Sequence, residues 1–247
     1  MLLVERGLAE SRAQAQALVL AGRVPGYEKA GQQVDEAAEL SVTQPPRFVS
    51  RGGEKLAPIL TRFGVDPRDR EALDVGASTG GFTDVLLAAG ARRVAALDVG
   101  RGQLDWTLRN DPRVVVLEGI NARYLDPGML PFRPSLAVID VSFISLRQVL
   151  VPVSACLAPE AEIVALVKPQ FEVGRGRVGR GGIVRDPALR AEALAGIVAF
   201  ARENGLGPTA VARSPLPGAT GNIELFLHLR PGTQGIPEDE LLRDEPT

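Results

Sequence analysis

Two lysines and two carboxylates form the set of side chains best suited to chemistry. Asp140 follows the apolar run 136–139 and Lys168 follows the apolar run 163–167, so each stands at the end of an expected strand. Glu224 lies in the alternating segment 222–229, and Lys55 lies in a helix-forming stretch after a Gly-Gly pair. Asp140, Lys168 and Glu224 converge at one edge of a sheet if these segments pair, and Lys55, in the helix after the Gly-Gly pair, is placed to join them. A free lysine has a pKa of about 10.4 and is a poor base near neutrality. Desolvation and a second ammonium group lower that value, while carboxylates hold the ensemble together. Such a group orients or deprotonates a hydroxyl, a sugar hydroxyl included, for attack on an electrophile, and positioning then supplies most of the rate.

A partner for that hydroxyl is indicated by residues 74–81, Asp-Val-Gly-Ala-Ser-Thr-Gly-Gly. They follow the apolar Ala72-Leu73 and open into Phe82-Thr83-Asp84-Val85-Leu86-Leu87, a helical run. Strand, glycine turn and helix form the first unit of a nucleoside-binding sheet. The spacing is not GxGxxG and no GK[ST] follows, which excludes the dinucleotide fingerprint and the phosphate-binding P-loop. An acid and then G-x-S-x-G-G suit a ligand without phosphate, such as S-adenosylmethionine (SAM). Asp74, Gly76, Ala77, Ser78, Thr79, Gly80 and Gly81 are the expected cradle. Asp98, at the end of the next strand, is placed to accept both hydroxyl protons of a ribose. Asn121, after the third strand, is placed to meet an adenine edge, and Asp140 belongs to the cofactor wall as well.

These positions need a scaffold. Strands are expected at 71–75, 93–98, 113–117, 136–140, 161–167, 208–213 and 222–229, and helices at 54–62, 80–89, 102–109, 145–156 and 187–204. Apolar runs alternating with helices predict a doubly wound α/β fold with seven strands, the last two an antiparallel pair at the edge. Residues 1–46 differ in style. Ser11-Arg12-Ala13-Gln14 is a capping box opening a helix with Ala15, Leu18 and Val19 on one face and Gly22 as its stop. A short helix at 2–6 precedes it, and short strands near Val24, Val34 and Leu40–Val42 would complete a small α+β module. Pro45-Pro46 ends it, and 47–53 reads as a linker with Gly52-Gly53 as hinge.

Composition narrows the function. The 247 residues carry a net charge of −2, which argues against a wholly basic nucleic-acid binder. Residues 168–190, however, hold six Lys/Arg against two acids, and 231–247 hold five acids and one Arg, an acidic tail expected to be flexible. The stretch 174–182 is rich in Gly and Arg, so Arg175, Arg177 and Arg180 are expected to grip RNA phosphates. Phe143, beside Asp140, is expected to stack on a base. The single Cys156 permits no internal disulfide and fits a reducing cytoplasm as a buried thiol. No apolar run reaches the roughly 18 residues of a membrane span. His228 lies about 13 Å along a strand from Glu224 and is read as structural. No metal site is expected.

Five ordered motifs carry a resemblance that spans nearly the whole chain: 50–56 (SRGGEKL), 74–84 (DVGASTGGFTD), 140–146 (DVSFISL), 166–172 (LVKPQFE) and 221–224 (GNIE). With them the chain resembles the TlyA family, S4-domain ribosomal RNA 2′-O-methyltransferases once labelled hemolysins, within the wider FtsJ-like ribose methyltransferases. The resemblance implies a Lys-Asp-Lys-Glu tetrad of Lys55, Asp140, Lys168 and Glu224, with Lys168 as base and the others orienting or supporting it. It implies SAM as cofactor, cytidine 2′-hydroxyls of small- or large-subunit ribosomal RNA as substrate, and a monomer acting on ribosomal subunits. Leu3-Val4-Glu5-Arg6-Gly7-Leu8-Ala9 and Ser11-Arg12 resemble an S4 RNA-binding domain, entered inside its first helix, which places RNA contacts at Arg6, Arg12 and Arg23 and, beyond it, Arg51. Pro25-Gly26-Tyr27 departs from the valine and Asn-Gly turn usual there. Competing readings are a small-molecule SAM enzyme, a ribosome-associated SAM binder and a hemolysin. The tetrad, the S4-like stretch and the Arg-Gly loop speak for RNA methylation over all three.

Overall fold

The computed structural model describes residues 2–20, 23–27, 29, 31–32, 34–35, 37–42 and 47–241. It divides into two compact units, Met1–Arg47 and Phe48–Thr247.

In the first unit α1 (Leu2–Glu5) and α2 (Arg12–Leu20) pack Leu3, Ala9 and Val24 into a small core. Ser11 Oγ accepts from Gln14 N at 3.1 Å, so the expected cap forms; the Gln14 side chain reaches one residue past it, to Glu10 N. Gly22 and Pro45-Pro46 lie outside the described residues. The strands expected near Val24, Val34 and Leu40–Val42 are not found among the described residues. Their backbone bonds are local turns instead, Tyr27 N to Val24 O, Gln32 N to Lys29 O and Ala38 N to Asp35 O. Isolated apolar residues between turn-formers can pack on a helix without building a ladder.

The second unit opens on α3 (Arg51–Phe63), three residues earlier than expected. Ser50 caps it by accepting from Gly52 N. Gly52 and Gly53 therefore lie in its first turn and are not a hinge. At Gly53 the missing side chain serves close approach, since a Cβ there would strike the Phe48 ring, and one on the facing Gly81 would strike Ser50 Oγ. Gly64, at φ +66°, ends the helix in the left-handed conformation.

Seven strands follow: β1 (Glu71–Val75), β2 (Arg93–Asp98), β3 (Val114–Glu118), β4 (Leu136–Ile139), β5 (Glu162–Val167), β6 (Leu206–Arg213) and β7 (Leu225–Pro231), in the order β3-β2-β1-β4-β5-β7-β6. The first five are parallel and β7 runs antiparallel between β5 and β6. One face is covered by α3 and α4 (Gly81–Ala88), the other by α6 (Leu150–Ala155) and α8 (Pro187–Glu203), each over a continuous apolar layer. Strand order reverses between β1 and β4, so the crevice for a ligand opens at their carboxyl ends. Short α5 (Trp106–Arg109) and α7 (Pro169–Glu172) lie at that end of the chain's crossovers. The helix expected over 145–156 is broken into a 3₁₀ turn at Leu146–Gln148 and α6.

The segment expected as a flexible tail is folded as far as it is described. Ile236 N bonds to Pro208 O, and Leu241, in α9 (Glu238–Leu241), is buried in the main core. Its acids dominate the composition and hide these two apolar anchors.

Candidate active site

The glycine turn forms as expected and needs its glycines. Gly76 has φ +85° and Gly80 φ +99°, values that L side chains rarely adopt. A Cβ on Gly76 would strike Asp140 O, so β1 and β4 meet at this point with no room for a side chain. Ser78 takes φ +49° without being glycine. Its amide is held by Asp98 Oδ2 at 2.8 Å, while Asp98 Oδ1 accepts from Gly100 N at 2.7 Å. The acid of β2 thus braces the turn of β1.

Both lysines are ion-paired. Lys168 Nζ lies 2.5 Å from Asp140 Oδ1 and donates to Ser142 Oγ at 2.9 Å. Lys55 Nζ lies 2.6 Å from Glu224 Oε2, and both groups are buried. Pro169 opens α7 and leaves Lys168 at the tip of β5. Glu224 stands one residue before β7, its carbonyl bonded to Ser214 N, with Gly218 closed over its carboxylate.

Two cavities share Gly76, Ser78 and Asp140. One, of about 380 Å³, is lined by Ser50, Arg51, Lys55, Ala77, Thr79, Gly81, Phe82 and Ala219. The other, of about 340 Å³, is lined by Leu97, Asp98, Val99, Gln103, Ile120, Asn121, Val141 and Phe143. Lys55, Asp140 and the glycine turn are therefore brought to one wall, and Asp98 and Asn121 to the adjoining one. Asn121 Oδ1 accepts from Arg123 N and so caps the turn at Ala122–Tyr124.

Asp74 and Gly80 line neither cavity. Asp74 faces the α4 side of the sheet, fully buried, where its Oδ2 accepts from Thr83 Oγ1 at 2.7 Å. Burial pushes its carboxyl up to about 7, with Asp140 and Asp98 adding to the rise and the Thr83 hydroxyl opposing it. Gly80 is covered by Leu104 and Leu108. Phe143 is 92% exposed with φ +65° and its ring centroid lies 5.3 Å from that of Phe171. Arg51 donates to Pro217 O, and Arg177 forms a bidentate pair with Glu192 on α8. Arg180 is exposed and its carbonyl accepts from Arg185. The side chain of Arg175 lies outside the described set. In the first unit Arg12 is exposed on α2, and Arg6 donates to Ala38 O. His228 is buried between Thr209, Glu162 and the stacked Phe63 ring, at the end of the sheet away from the cavities.

Sequence reasoning missed Ser142, Ser50 and Ala219. Ser142 carried a signal, two residues after Asp140 in a short polar break; Ala219 carried none.

The class is defined at this point by the sheet order and by a glycine turn flanked by paired acids. Residues 48–231 match the FtsJ-like methyltransferase family. The chain is 52% identical over 237 residues to the 16S/23S rRNA (cytidine-2′-O)-methyltransferase TlyA of Mycobacterium tuberculosis, covering 94% of this chain and 88% of that one. The solved structure of a putative hemolysin from Streptococcus thermophilus is 42% identical, with a TM-score of 0.78, over 98% of this chain and 92% of that one. A SAM-dependent methyltransferase from Mesorhizobium loti, 15% identical, shares the fold with a TM-score of 0.52 over 70% of this chain and 96% of that one. The chain belongs to the FtsJ-like methyltransferases and, within them, to the TlyA family.

Proposed function

We propose that this methyltransferase uses SAM to methylate the 2′-hydroxyl of cytidine in 16S or 23S ribosomal RNA, as a monomer in the cytoplasm with ribosomal subunits as partner. The observation that carries the reading is the pair of lysine–carboxylate contacts, Lys168–Asp140 and Lys55–Glu224, of which Asp140 and Lys55 line the crevice beside the glycine turn while Lys168 and Glu224 stand behind them.

The residues present fit the cofactor. The cavity beside Asp98 offers a carboxylate with lone pairs to spare after its two amide bonds, apolar walls at Val99, Leu97 and Ile120, and the polar Asn121. Gly76, Ala77, Ser78 and Asp140 line the way to the second cavity, where Lys55 and Arg51 stand. Asp74 and Gly80 support the turn from beneath. When bound, SAM supplies an electrophilic methyl group on a sulfonium.

Lys168 orients the ribose hydroxyl and, having first given a proton to solvent, takes up the hydroxyl proton as a neutral amine and so returns to the ammonium form. Asp140 holds the Lys168 ammonium in place, and Ser142 fixes its direction by accepting one of its hydrogens. The buried Lys55–Glu224 pair supplies fixed charge near the reacting oxygen. Phe143 offers a base an exposed ring on a rigid support. Arg51, Arg175, Arg177 and Arg180 meet RNA phosphates, with Arg177 exchanging Glu192 for phosphate. Residues 1–46 act as an S4-like RNA-binding module through Arg6, Arg12 and Arg23.

The test is label transfer from SAM to purified small and large ribosomal subunits that lack the modification. Wild-type protein transfers and Lys168→Ala does not, while the variant binds SAM and melts as wild type does. A wild-type chain that binds SAM and labels neither subunit would overturn the RNA reading.

A further inference from the structure

The loop after β4 and the segment after β5 are joined by a series of contacts that runs in parallel along both. Asp140 and Ser142 meet Lys168 at 2.5 and 2.9 Å. Phe143 meets Phe171 at a centroid distance of 5.3 Å. Ser145 Oγ donates to Glu172 Oε2 at 2.5 Å and Leu146 N donates to Glu172 Oε1 at 2.9 Å. Both oxygens of Glu172 are thus spent on the far end of the loop that begins at Asp140. The same loop contains Phe143 in the left-handed region, a conformation that costs a β-carbon-bearing residue energy unless its surroundings enforce it. Phe143 is almost wholly exposed, so burial of its own side chain cannot be what enforces it.

We propose that Glu172 is a positioning residue: its carboxylate clamps residues 145–146 to α7, and by closing that loop it sets the Lys168–Asp140 contact and the presentation of Phe143. Glu172 touches neither cavity, so its action passes through these neighbours. The inference rests on the proposed RNA methyl transfer. A carboxylate suits the task because it accepts two hydrogen bonds at once from a hydroxyl and an amide. Gln retains an oxygen for Leu146 N and presents its amide group to Ser145 Oγ, which can accept; Ala retains neither contact.

The experiment is single-turnover transfer from labelled SAM to unmodified ribosomal subunits by full-length wild type, Glu172→Gln and Glu172→Ala, with SAM affinity and thermal midpoint measured on each. Glu172→Ala should lower the rate at saturating RNA by about 10- to 100-fold, as loose positioning does, with SAM affinity unchanged and a folded fraction near one at the assay temperature. Glu172→Gln should restore most of that rate. Glu172→Ala turning over like wild type would overturn the clamp. So would a loss that follows SAM affinity or the folded fraction, or a Gln variant no better than Ala. A wild-type chain that transfers nothing would instead overturn the RNA reading itself, which separates the two failures.

Discussion

Lys55 and Glu224 lie 169 positions apart in the chain and meet at 2.6 Å, both buried, at opposite ends of the methyltransferase unit's sequence. One comes from the first helix and the other from the approach to the last strand, so the contact closes the unit around its own crevice. Glu224→Ala leaves a buried ammonium without its counter-charge and should destabilise the protein by about 3 kcal/mol. Lys55→Met combined with Glu224→Leu should recover most of that stability while methyl transfer stays abolished. Denaturant titration and label transfer on the three proteins check this. A double variant as unstable as the single, or one that still transfers, would contradict it.

Gly76 is irreplaceable for a reason that Gly102 lacks. Both have positive φ, +85° and +69°, but only at Gly76 would a Cβ meet backbone, the Asp140 carbonyl. Gly102→Ala should cost about 1 kcal/mol of left-handed strain. Gly76→Ala should cost more and displace Asp140, with a larger fall in thermal midpoint and in SAM affinity. Equal effects at the two sites would show that Asp140 moves freely.

The sheet was legible because its strands are apolar runs of ordinary length and its helices have the right period; the expected strand bounds differ from those found by a few residues at most. Asp140 and Lys168 were legible because polar residues end two of those runs, and the structure pairs them; Lys55 and Glu224 were joined to them as a tetrad by the family resemblance, and the structure pairs them too. What the sequence hid has physical causes. Gly52-Gly53 reads as a hinge, yet it serves close approach to Phe48 and the α4 turn, which depends on residues distant in the chain. Val24, Val34 and Leu40 read as strands, yet with so many turn-formers between them they pack as turns. Asp74 reads as a ligand, and only the pleat of β1 decides that it points to Thr83 instead.

That orientation makes a pH prediction. Asp74 in the folded chain titrates at about 7, chiefly because burial disfavours its charge. In the unfolded chain an aspartate titrates at about 3.9. Between those values the folded state keeps a proton that the unfolded state has released, so this residue's contribution to stability declines as pH rises through the window and is level above it. Asp74→Asn stays neutral and keeps an oxygen for Thr83. Its thermal midpoint relative to wild type should climb across the window and then hold steady; curves that stay parallel would contradict the assignment.

Phe143 is exposed, so removing its ring should change stability by no more than about 0.5–1 kcal/mol. Phe143→Ala should nevertheless weaken transfer to ribosomal subunits, with SAM affinity intact. Steady-state kinetics with varied RNA would show it. Unchanged kinetics would confine the ring to its contact with Phe171.

The most direct measurement maps the methyl group. Unmodified small and large subunits are labelled from SAM, the RNA is cleaved with alkali, and the resistant positions are read, since cleavage needs a free 2′-hydroxyl. Resistance at one or two cytidines, absent with Lys168→Ala, is the predicted result. Label on a base, with the ribose backbone still cleaved at every position, would contradict a site built to position a sugar hydroxyl.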